Sequence, residues 1–234
     1  MYVPSIFYKV YEKTLRRQIF AAKRPHHMGL IVDGNRRFAM AQKLATRKAG
    51  HMAGSDNLEG FLRWCLELEI KMVTLYGFST ENYNRSGEEV EELMSIILNK
   101  FRTLKTDPLI ADENVNIKVI GRRDQLSQEM NEEIDTVEAQ TAENDGFQLN
   151  IAIGYGGRAE IVDAVKKIGE RIKIGEIDID DIDEQLLSNH LYTEGMPDPD
   201  LIIRTSGEER LSGFLLWQSA YSELYFTVVY WPAF

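Results

Sequence analysis

Three short stretches of this chain concentrate arginines, hydroxyls and carboxylates, the groups that bind phosphates and metal ions. They are Asp33–Phe38, Phe78–Arg85 and Arg204–Ser212. Arginine binds phosphate oxygens through a planar fork of N–H groups. A carboxylate beside a glycine turn can hold a metal ion, and the backbone N–H groups next to it can bind an anion. A plain Asp-Gly turn is the alternative for Asp33-Gly34, but the two arginines directly behind it favour a phosphate site.

The second stretch packs hydroxyls, amides, an aromatic ring and an arginine into one short loop. Hydroxyl and amide groups bind diphosphate oxygens or relay protons. The structural alternative is an N-terminal helix cap. The following residues, Ser86-Gly87-Glu88-Glu89, already supply a capping-box pattern, so we expect the polar run before them to be functional.

The remaining polar candidates are weaker. For Lys48, in the basic cluster Arg47, Lys48 and His51, a solvated loop is the better interpretation, and a lone histidine such as His51 is more often structural.

The third stretch combines two arginines, hydroxyls and a glycine turn, which suits a diphosphate. A lone glutamate such as Glu223, ahead of the last predicted strand, is more often a surface residue than a ligand.

Each of the three main stretches follows a short apolar run. The predicted strands are Met28–Val32, Met72–Tyr76, Val115–Ile120, Phe147–Ile153, Leu201–Arg204 and Leu224–Val229. Most are nearly unbroken apolar runs, as in strands buried on both faces. Helical periodicity lies between them, as in Leu58–Leu66 and Val90–Phe101, and a short helix is predicted over Ile182–Leu191.

The alternation predicts an α/β fold, in which a single-domain, mostly parallel sheet is flanked by helices. Ligands bind beyond the carboxyl ends of the strands in such sheets. Those ends are where the polar stretches begin.

Bulk composition excludes several classes of protein. The net charge of −10 over 234 residues argues against nucleic-acid binding, which needs a basic face. No run of about 18 apolar residues occurs, so we expect no membrane-spanning segment. The single cysteine, Cys65, lies in an apolar helical pattern, and we expect it in the core of a protein from the reducing cytoplasm.

Residues 1–24 read as a basic amphipathic helix that precedes a catalytic domain over 25–234. Apolar residues share one helical face beside a basic flank: Ile6, Phe7, Val10, Tyr11 and Leu15, next to Lys9, Lys13, Arg16 and Arg17. Such a helix can lie on a membrane or pack on the protein's own surface. The sequence leaves both open.

Two further patterns are weak. Gly154–Arg158 follows a strand and opens a helix, as nucleotide-binding loops do, but its spacing fits neither the dinucleotide fingerprint nor the P-loop. The acidic run Asp178–Glu184 resembles a metal-binding cluster. Acidic residues are favoured at a helix start, so we interpret it as a solvated helix end.

Taken together, five motifs resemble those of the cis-prenyltransferase family, to which undecaprenyl diphosphate synthases belong. They are Asp33-Gly34-Asn35, Phe78–Asn82, Tyr155–Arg158, Arg204–Glu208 and Phe214–Gln218, in the family's order and spacing. The resemblance runs from near His27 to Phe234. It implies a homodimer, Mg²⁺ as cofactor, and an apolar tunnel lined by helices near 58–70 and 88–104, whose apolar faces could equally be plain core.

The resemblance also implies roles for individual residues. Asp33 would hold Mg²⁺ together with Glu223, and Asn82 would take part in proton removal. The allylic diphosphate would be surrounded by Gly34, Asn35, Arg36, Arg37, Phe38, Arg47 and His51. The substrates would be positioned by Ser79, Thr80, Glu81, Tyr83 and Arg85, and isopentenyl diphosphate would be held by Arg204, Arg210, Leu211 and Ser212.

Several positions depart from the usual bacterial pattern. Arg36 stands where glycine is common, and Phe38 and Tyr83 stand where tryptophan is common. Family members usually continue past Trp231-Pro232 into an Arg-x-Gly element that completes the isopentenyl site of the neighbouring subunit. Here the sequence ends at Phe234, and three explanations stay open: the tail was removed, a partner supplies it, or the acceptor site is built differently, as in relatives that join two allylic diphosphates.

Two other classes of function are weighed against this one. A non-catalytic subunit of a two-component enzyme would be expected to lose residues such as Asp33 and Asn82, which are retained. A nucleotide-binding regulator would rely on the glycine loop near Gly156. The acidic run near Asp180 does not fit the aspartate-rich helices of trans-prenyltransferases.

Overall fold

A computed structural model describes the backbone of residues 5–234 and the side chains from residue 10 onward. The predicted contributions of Ile6, Phe7 and Lys9 to the N-terminal helix therefore lie outside the described side chains. The described strands are β1 (His27–Ile31), β2 (Met72–Ser79), β3 (Val115–Ile120), β4 (Phe147–Tyr155), β5 (Leu201–Arg204) and β6 (Glu223–Phe226).

The six strands form one sheet in the order β3-β4-β2-β1-β5-β6, and every neighbouring pair is parallel. This confirms the predicted α/β architecture with a parallel sheet. Parallel pairing places the carboxyl ends of all strands at one edge of the sheet, called here the carboxyl edge, and their starts at the amino edge.

Helices cover both faces of the sheet. They are α1 (Ser5–Ala21), α2 (Asn35–Ala41), α3 (Arg47–Glu67), α4 (Gly87–Leu104), α5 (Pro108–Asp112), α6 (Gln128–Thr141), α7 (Gly157–Lys173) and α8 (Glu184–Ser188). None of the helices within residues 5–234 is long and apolar enough to cross a membrane.

Strand residues alternate between two buried clusters. Leu30 and Leu75 join a large cluster that includes apolar residues of α3, α4 and α6, whereas Ile31 and Tyr76 face a smaller cluster around Phe214 and its neighbours. Because both faces are buried, the strands need apolar residues at successive positions, as their sequences show. Cys65 is buried as predicted.

The last predicted strand is too long at its end. β6 covers Glu223–Phe226 instead of Leu224–Val229, because its partner β5 ends at Arg204, which pairs with Phe226. The segment beyond continues through irregular bonds, such as Ser206 N–H to the Val229 carbonyl. The predicted helix over Ile182–Leu191 is likewise shorter.

The capping-box prediction at Ser86 is wrong. Ser86 precedes the first residue of α4, but its side chain accepts no capping hydrogen bond. Glu89, the acidic member of the pattern, is buried and faces arginines from elsewhere in the chain. The acidic run Asp178–Glu184 is exposed as predicted, with Asp178 and Asp183 capping short helices.

Candidate active site

A polar cleft opens where β1, β2 and β5 end at the carboxyl edge. In the sheet register, Ile31 lies between Tyr76 and Arg204, so the residues that follow these strands converge. The polar lining brings together residues from all three predicted stretches: Asp33, Asn35, His51, Ser79, Glu81, Asn82, Arg85, Arg204 and Ser212. The sequence therefore predicted most of this lining.

Asp33 is held by two arginines. Its Oδ2 accepts a hydrogen bond of 2.7 Å from Arg204 Nη2, and its Oδ1 lies 3.3 Å from Arg37 Nη2. Burial alone would raise the pKa of Asp33, but the hydrogen bond and charge of Arg204, with the charge of Arg37, outweigh it and lower the pKa. The carboxylate is therefore ionised at neutral pH and available to a cation.

Thr205 binds both the backbone N–H and the backbone carbonyl oxygen of Asp33. The fully buried Thr205 hydroxyl accepts a hydrogen bond from Asp33 N–H (3.0 Å) and donates one to the Asp33 carbonyl oxygen (2.7 Å). Trp231 N–H donates to the same carbonyl. The next residue, Gly34, has φ +103°, and a Cβ there would lie 2.8 Å from Ser206, so this turn requires glycine.

Arg37 is anchored to the loop after β5. Its guanidinium donates to the Ser206 carbonyl (3.2 Å), to Ser206 Oγ (2.5 Å) and to Glu208 Oε1 (3.1 Å). The first and third polar stretches are thereby joined. Phe38, also predicted to bind substrate, is not brought to the cleft lining.

Glu89 contacts three arginines, of which Arg85 lines the cleft. Its carboxylate lies 2.8 Å from Arg85, 3.3 Å from Arg36 and 3.8 Å from Arg47. Glu89 is buried, with 7% of its surface exposed. Its charge is balanced by the three guanidinium groups that face it. Sequence reasoning missed this role by assigning Glu89 to a helix cap, although the i, i+4 spacing from Arg85 was a usable signal.

The loop after β2 serves structure as well as the cleft. Ser79 and Asn82 form a capping box around the short 3₁₀ helix Thr80–Asn84, in which Asn82 Oδ1 accepts from Ser79 N–H. The expectation that these polar groups lack a structural purpose was wrong. Tyr83 packs its ring on Phe78, 4.9 Å between centroids, and does not join the cleft lining.

Arg204 links Asp33 to the loop after β5. Its Nη1 donates to Ser212 Oγ (2.8 Å) and to the Arg210 carbonyl oxygen (2.5 Å). The Arg210 side chain points into solvent and pairs with Glu208. Leu211 packs against the smaller apolar cluster, so it supports the loop from behind.

Glu223 lies far from Asp33 within the chain. It is the first residue of β6 and pairs with Leu201 at the amino edge, whereas Asp33 follows the carboxyl end of β1. Its side chain is exposed. A single chain therefore does not bring the two predicted metal ligands together.

Three buried polar atoms of the site lack a hydrogen-bond partner in the described chain: Asn35 Oδ1, His51 Nε2 and Arg204 Nε. Such atoms are costly unless a ligand or water satisfies them. Asn35 and His51 lie where the polar cleft meets a second space. Burial, with the positive charges of Arg85 and Arg36 and against the charge of Glu89, lowers the pKa of His51 to about 4.

The second space is an apolar cavity that is partly open to solvent. It extends from Asn35 and His51 between the sheet and helices α3 and α4 to Leu109 and Ile110 of α5. Its lining is mostly apolar and includes Leu58, Leu62, Leu93, Ile97, Phe101 and Leu149. The apolar faces of α3 and α4 therefore line a cavity with some residues, such as Leu58 and Leu93, and form core with others, such as Phe61 and Cys65.

The glycine loop after β4 is used for packing. Gly157 N–H donates to the Gly213 carbonyl oxygen (2.7 Å), and a Cβ at Gly156 would lie 2.5 Å from Thr80 Oγ1. The glycines let this loop contact the loops of the cleft. With the first helical N–H already bonded, this arrangement does not favour the nucleotide-binding alternative.

The low pKa of His51 predicts a pH-dependent stability. Between pH about 6.5 and about 4 the unfolded chain binds a proton at this histidine and the folded chain does not. The free energy of unfolding should therefore fall as pH falls through this window, by up to about 3 kcal/mol at roughly 1.4 kcal/mol per unit. Urea unfolding of wild type and His51→Gln at pH 7 and pH 4.5 checks it; equal pH dependence in both proteins would refute the assignment.

Thr205→Val should weaken metal binding with little loss of stability. Valine keeps the shape but cannot bond to Asp33, and loss of a group that orients a ligand costs about 10–100-fold in metal affinity or activity. Thr205→Ser, which keeps the hydroxyl, is the matched control. Calorimetric titration with Mg²⁺ and a non-hydrolysable allylic diphosphate measures the effect. Equal affinity in the valine and serine variants would contradict it.

A polar cleft lined by two carboxylates and two arginines, namely Asp33, Glu81, Arg85 and Arg204, adjoins an apolar cavity. This combination defines a class of protein that binds an apolar chain ending in a phosphate or diphosphate group.

Comparison with known proteins identifies the family. The family described as "Putative undecaprenyl diphosphate synthase" matches residues 31–234. A tritrans,polycis-undecaprenyl-diphosphate synthase (geranylgeranyl-diphosphate specific) of Thermoplasma volcanium is 49% identical over 97% of this chain and 87% of that protein. An isoprenyl transferase of Thermus thermophilus is 48% identical over 97% of this chain and 88% of that protein.

A comparison with solved structures supports the same family. Lavandulyl diphosphate synthase from Lavandula x intermedia, in complex with dimethylallyl diphosphate, superimposes with a TM-score of 0.86 at 36% identity, covering 90% of this chain and 89% of that one. The chain belongs to the undecaprenyl diphosphate synthase family. It is a cis-type prenyltransferase, so the family predicted from the five sequence motifs is confirmed.

Proposed function

We propose that the enzyme extends geranylgeranyl diphosphate with isopentenyl diphosphate to a longer Z-polyprenyl diphosphate. The observation that carries this is the polar cleft, lined by Arg85 and Arg204 and adjoined by Arg36, Arg37 and Arg47, that continues into an apolar cavity. The relative of Thermoplasma volcanium, named as specific for geranylgeranyl diphosphate, supports the choice of primer. In the reaction the allylic C–O bond breaks, pyrophosphate leaves with the electron pair, and the isopentenyl double bond forms the new C–C bond before a proton is lost.

The arginines of the cleft would stabilise the leaving pyrophosphate. Arg36, Arg47 and Arg85 converge on Glu89, and Arg37 lies on the other side beside Asp33. Positive groups already oriented toward developing negative charge lower the barrier without reorganising during the reaction. The unpartnered His51 Nε2 and Asn35 Oδ1 lie at the boundary with the cavity, where the allylic carbon would sit.

The residues fit a Mg²⁺ ion that arrives with the diphosphate. No group of three or more His, Cys, Asp or Glu side chains converges within the described residues, so the protein does not build a complete metal cage there. Mg²⁺ is usually held by one or two carboxylates together with substrate phosphates, and Asp33 supplies one ionised carboxylate in the cleft. When bound, the ion would neutralise charge on the departing pyrophosphate.

The diphosphate of isopentenyl diphosphate would bind on the side of Asp33 that faces the loop after β5. Arg204 and Ser212 line the cleft there, and Arg210 lies on the adjoining loop. Asn82 would stay near the reacting carbons, with its Oδ1 fixed by Ser79 N–H and its NH₂ group left to a substrate oxygen or a water that accepts the proton. The apolar walls of the cavity would keep water from the cation.

A turnover assay tests the proposal. Purified enzyme, Mg²⁺ and labelled isopentenyl diphosphate are incubated with geranyl, farnesyl or geranylgeranyl diphosphate. Longer Z-products, formed fastest with geranylgeranyl diphosphate and lost on adding EDTA, would support it. Products from two allylic diphosphates without isopentenyl diphosphate would replace it with the alternative reaction, and no product under any combination would overturn it.

We also propose a homodimer formed through the β6 edge. Four large apolar side chains are exposed there, namely Tyr221 (98%), Leu224 (47%), Tyr225 (53%) and Val228 (81%). An exposed apolar edge strand is a ready surface for another chain. Glu223 lies on this surface, so its proposed metal role needs the neighbouring subunit. Light scattering on wild type and on Tyr221→Ser/Val228→Ser should show a dimer and a monomer, and a wild-type monomer would refute it.

We place the enzyme in the cytoplasm, because its single cysteine is buried and unpaired. We further assign residues 25–234 to a catalytic domain and residues 1–24 to a separate helical segment that contacts a membrane peripherally. The exposure of described α1 side chains such as Val10 and Tyr11 supports this division.

A further inference from the structure

The segment after β6, residues 227–234, lies between the turn at Asp33 and helix α3. Tyr230 packs against that turn, since a Cβ at Gly34 would lie 2.8 Å from Tyr230 Cδ1. Trp231 follows and is 1% exposed. Because protein interiors are close-packed, a residue that is buried between two parts of a site can set the distance between them.

Trp231 makes hydrogen bonds on both sides. Its backbone N–H donates to the Asp33 carbonyl oxygen (3.0 Å). Its indole Nε1–H donates to the Gly54 carbonyl oxygen of α3 (2.7 Å), and its own carbonyl oxygen accepts from Asn57 Nδ2 of the same helix (2.8 Å). Within residues 10–234, Trp231 is the only residue with hydrogen bonds to both Asp33 and α3. It therefore links the turn that carries the carboxylate to the helix.

Gly54 is the point at which this link meets α2. A Cβ at Gly54 would lie 2.4 Å from Asn35 Oδ1 and 3.0 Å from Trp231 Cδ1. Asn35 Oδ1 is one of the buried atoms without a hydrogen-bond partner in the described chain. Asn35 and the indole both line the apolar cavity, so they lie together where the cavity meets the polar cleft.

The two linked sides would bind different ends of the proposed allylic substrate. The Asp33 side would hold the diphosphate and its metal ion. Helix α3 supplies His51, Leu58 and Leu62 to the lining of the cavity that would hold the prenyl chain. The reacting carbon joins the two ends, so its position depends on the distance between the two sides. A misplacement of about 1 Å costs about 10²-fold in rate.

We propose that Trp231 is a positioning residue, which holds α3 at the distance from Asp33 at which the allylic carbon lies at the boundary of cleft and cavity. Packing keeps the indole in place, with Phe61 and Phe234 at 5.7 and 6.0 Å between ring centroids. The inference rests on the proposed prenyl transfer, because that reaction assigns the two ends of the substrate to the two sides.

Turnover tests the proposal first. Trp231→Phe keeps the backbone bond and an aromatic ring but cannot bond to the Gly54 carbonyl oxygen. Its kcat with geranylgeranyl diphosphate should fall by at least about ten-fold, since a shift of about 1 Å costs about 10²-fold. The KM for isopentenyl diphosphate should change little, because that substrate would bind on the loop after β5. Trp217→Phe is the matched control: it removes an indole bond to Ser188 Oγ (3.0 Å) on α8 and should be silent.

Separate binding of the two substrate ends distinguishes positioning from a loss of structure. Inorganic pyrophosphate with Mg²⁺ probes the Asp33 side, geranylgeraniol probes the cavity, and geranylgeranyl S-thiolodiphosphate joins the two ends without reacting. In Trp231→Phe both fragments should bind within about two-fold of wild type, whereas the joined ligand should bind about ten-fold more weakly, the net effect of about one hydrogen bond. A loss of structure would weaken all three ligands.

A sulfur analogue covers the case in which phenylalanine packs poorly. The chain has three tryptophans, so in a Trp64→Phe/Trp217→Phe background benzothienylalanine can be incorporated at position 231 alone. It keeps both fused rings and replaces the indole N–H with sulfur. Relative to the same background with Trp231, it should lower kcat and the affinity for the joined ligand as Trp231→Phe does, at an unchanged melting temperature.

The outcomes separate this role from the proposed reaction. Unchanged kcat and unchanged affinity for the joined ligand in the sulfur analogue would overturn the positioning role, and so would an equal loss for the joined ligand and both fragments. If wild type transfers no prenyl group but the analogue still weakens the joined ligand alone, the proposed reaction is refuted and the spacing role of Trp231 is supported.

Discussion

Asp33→Asn should abolish most turnover while leaving a folded protein. Asparagine keeps the size of the side chain and can still accept a hydrogen bond from Arg204. It removes the negative charge that would hold Mg²⁺ at the leaving diphosphate. A metal ion stabilises developing charge by several kcal/mol, so we expect a loss of about 10³-fold in kcat, measured with labelled isopentenyl diphosphate.

The control for this variant is Asp112→Asn, which removes an exposed carboxylate at the amino edge. It should retain wild-type turnover. Asp33→Asn should also lower stability at neutral pH by about 1–3 kcal/mol, because a charged hydrogen bond to the buried Arg204 is weakened. The folded pKa of Asp33 is lowered, so this contribution is present above the unfolded pKa and is lost as pH falls below it. Turnover within ten-fold of wild type would rule out the proposed role of Asp33.

Local pattern was sufficient to predict most of the sheet. Four of the six strands were predicted with boundaries within two residues of those observed, because a parallel strand buried on both faces must be apolar at nearly every position. β2 runs to Ser79, three residues beyond its predicted end at Tyr76. The end of β6 was predicted three residues too late, because Val228 and Val229 are as apolar as strand residues. What ends the strand is the end of its partner at Arg204, and pairing is not written in local sequence.

The candidate site could be predicted where its residues directly follow strands. Asp33 lies just beyond the end of β1, and Arg204 is the last residue of β5. The register of the sheet makes them neighbours. Chain topology alone brings such residues together. Glu223 was assigned to the metal ion by resemblance alone, and the same register places it at the opposite edge.

Residues that act on other site residues were not predictable. Thr205 was quoted in a motif, yet its two bonds to Asp33 depend on the spacing between β1 and β5. Glu89 was assigned to a helix cap, which is what its local pattern indicates. Two of its actual partners, Arg36 and Arg47, come from α2 and from the start of α3, and contacts over such separations follow from the fold alone. Only the partner Arg85, four residues before Glu89, is indicated by local spacing.

Glu89→Gln should lower kcat/KM for the allylic diphosphate about 10²-fold. Three guanidinium groups lie within 4 Å of this one carboxylate. Like charges repel one another, so the arginines will separate once the negative charge that they share is gone. A misplacement of about 1 Å in groups that position a substrate costs about 10²-fold. Steady-state kinetics with varied allylic diphosphate measures the effect.

Glu91→Gln, an exposed change on the same helix, is the matched control and should be silent. The KM for isopentenyl diphosphate should change little in Glu89→Gln, because Arg204 and Ser212 do not contact Glu89. That selectivity distinguishes orientation of the arginines from a general loss of structure, which would affect both substrates and lower the melting temperature in step. If the variant instead binds the allylic diphosphate more tightly with unchanged kcat, then Glu89 competes with the substrate for the arginines and does not hold them in place for it.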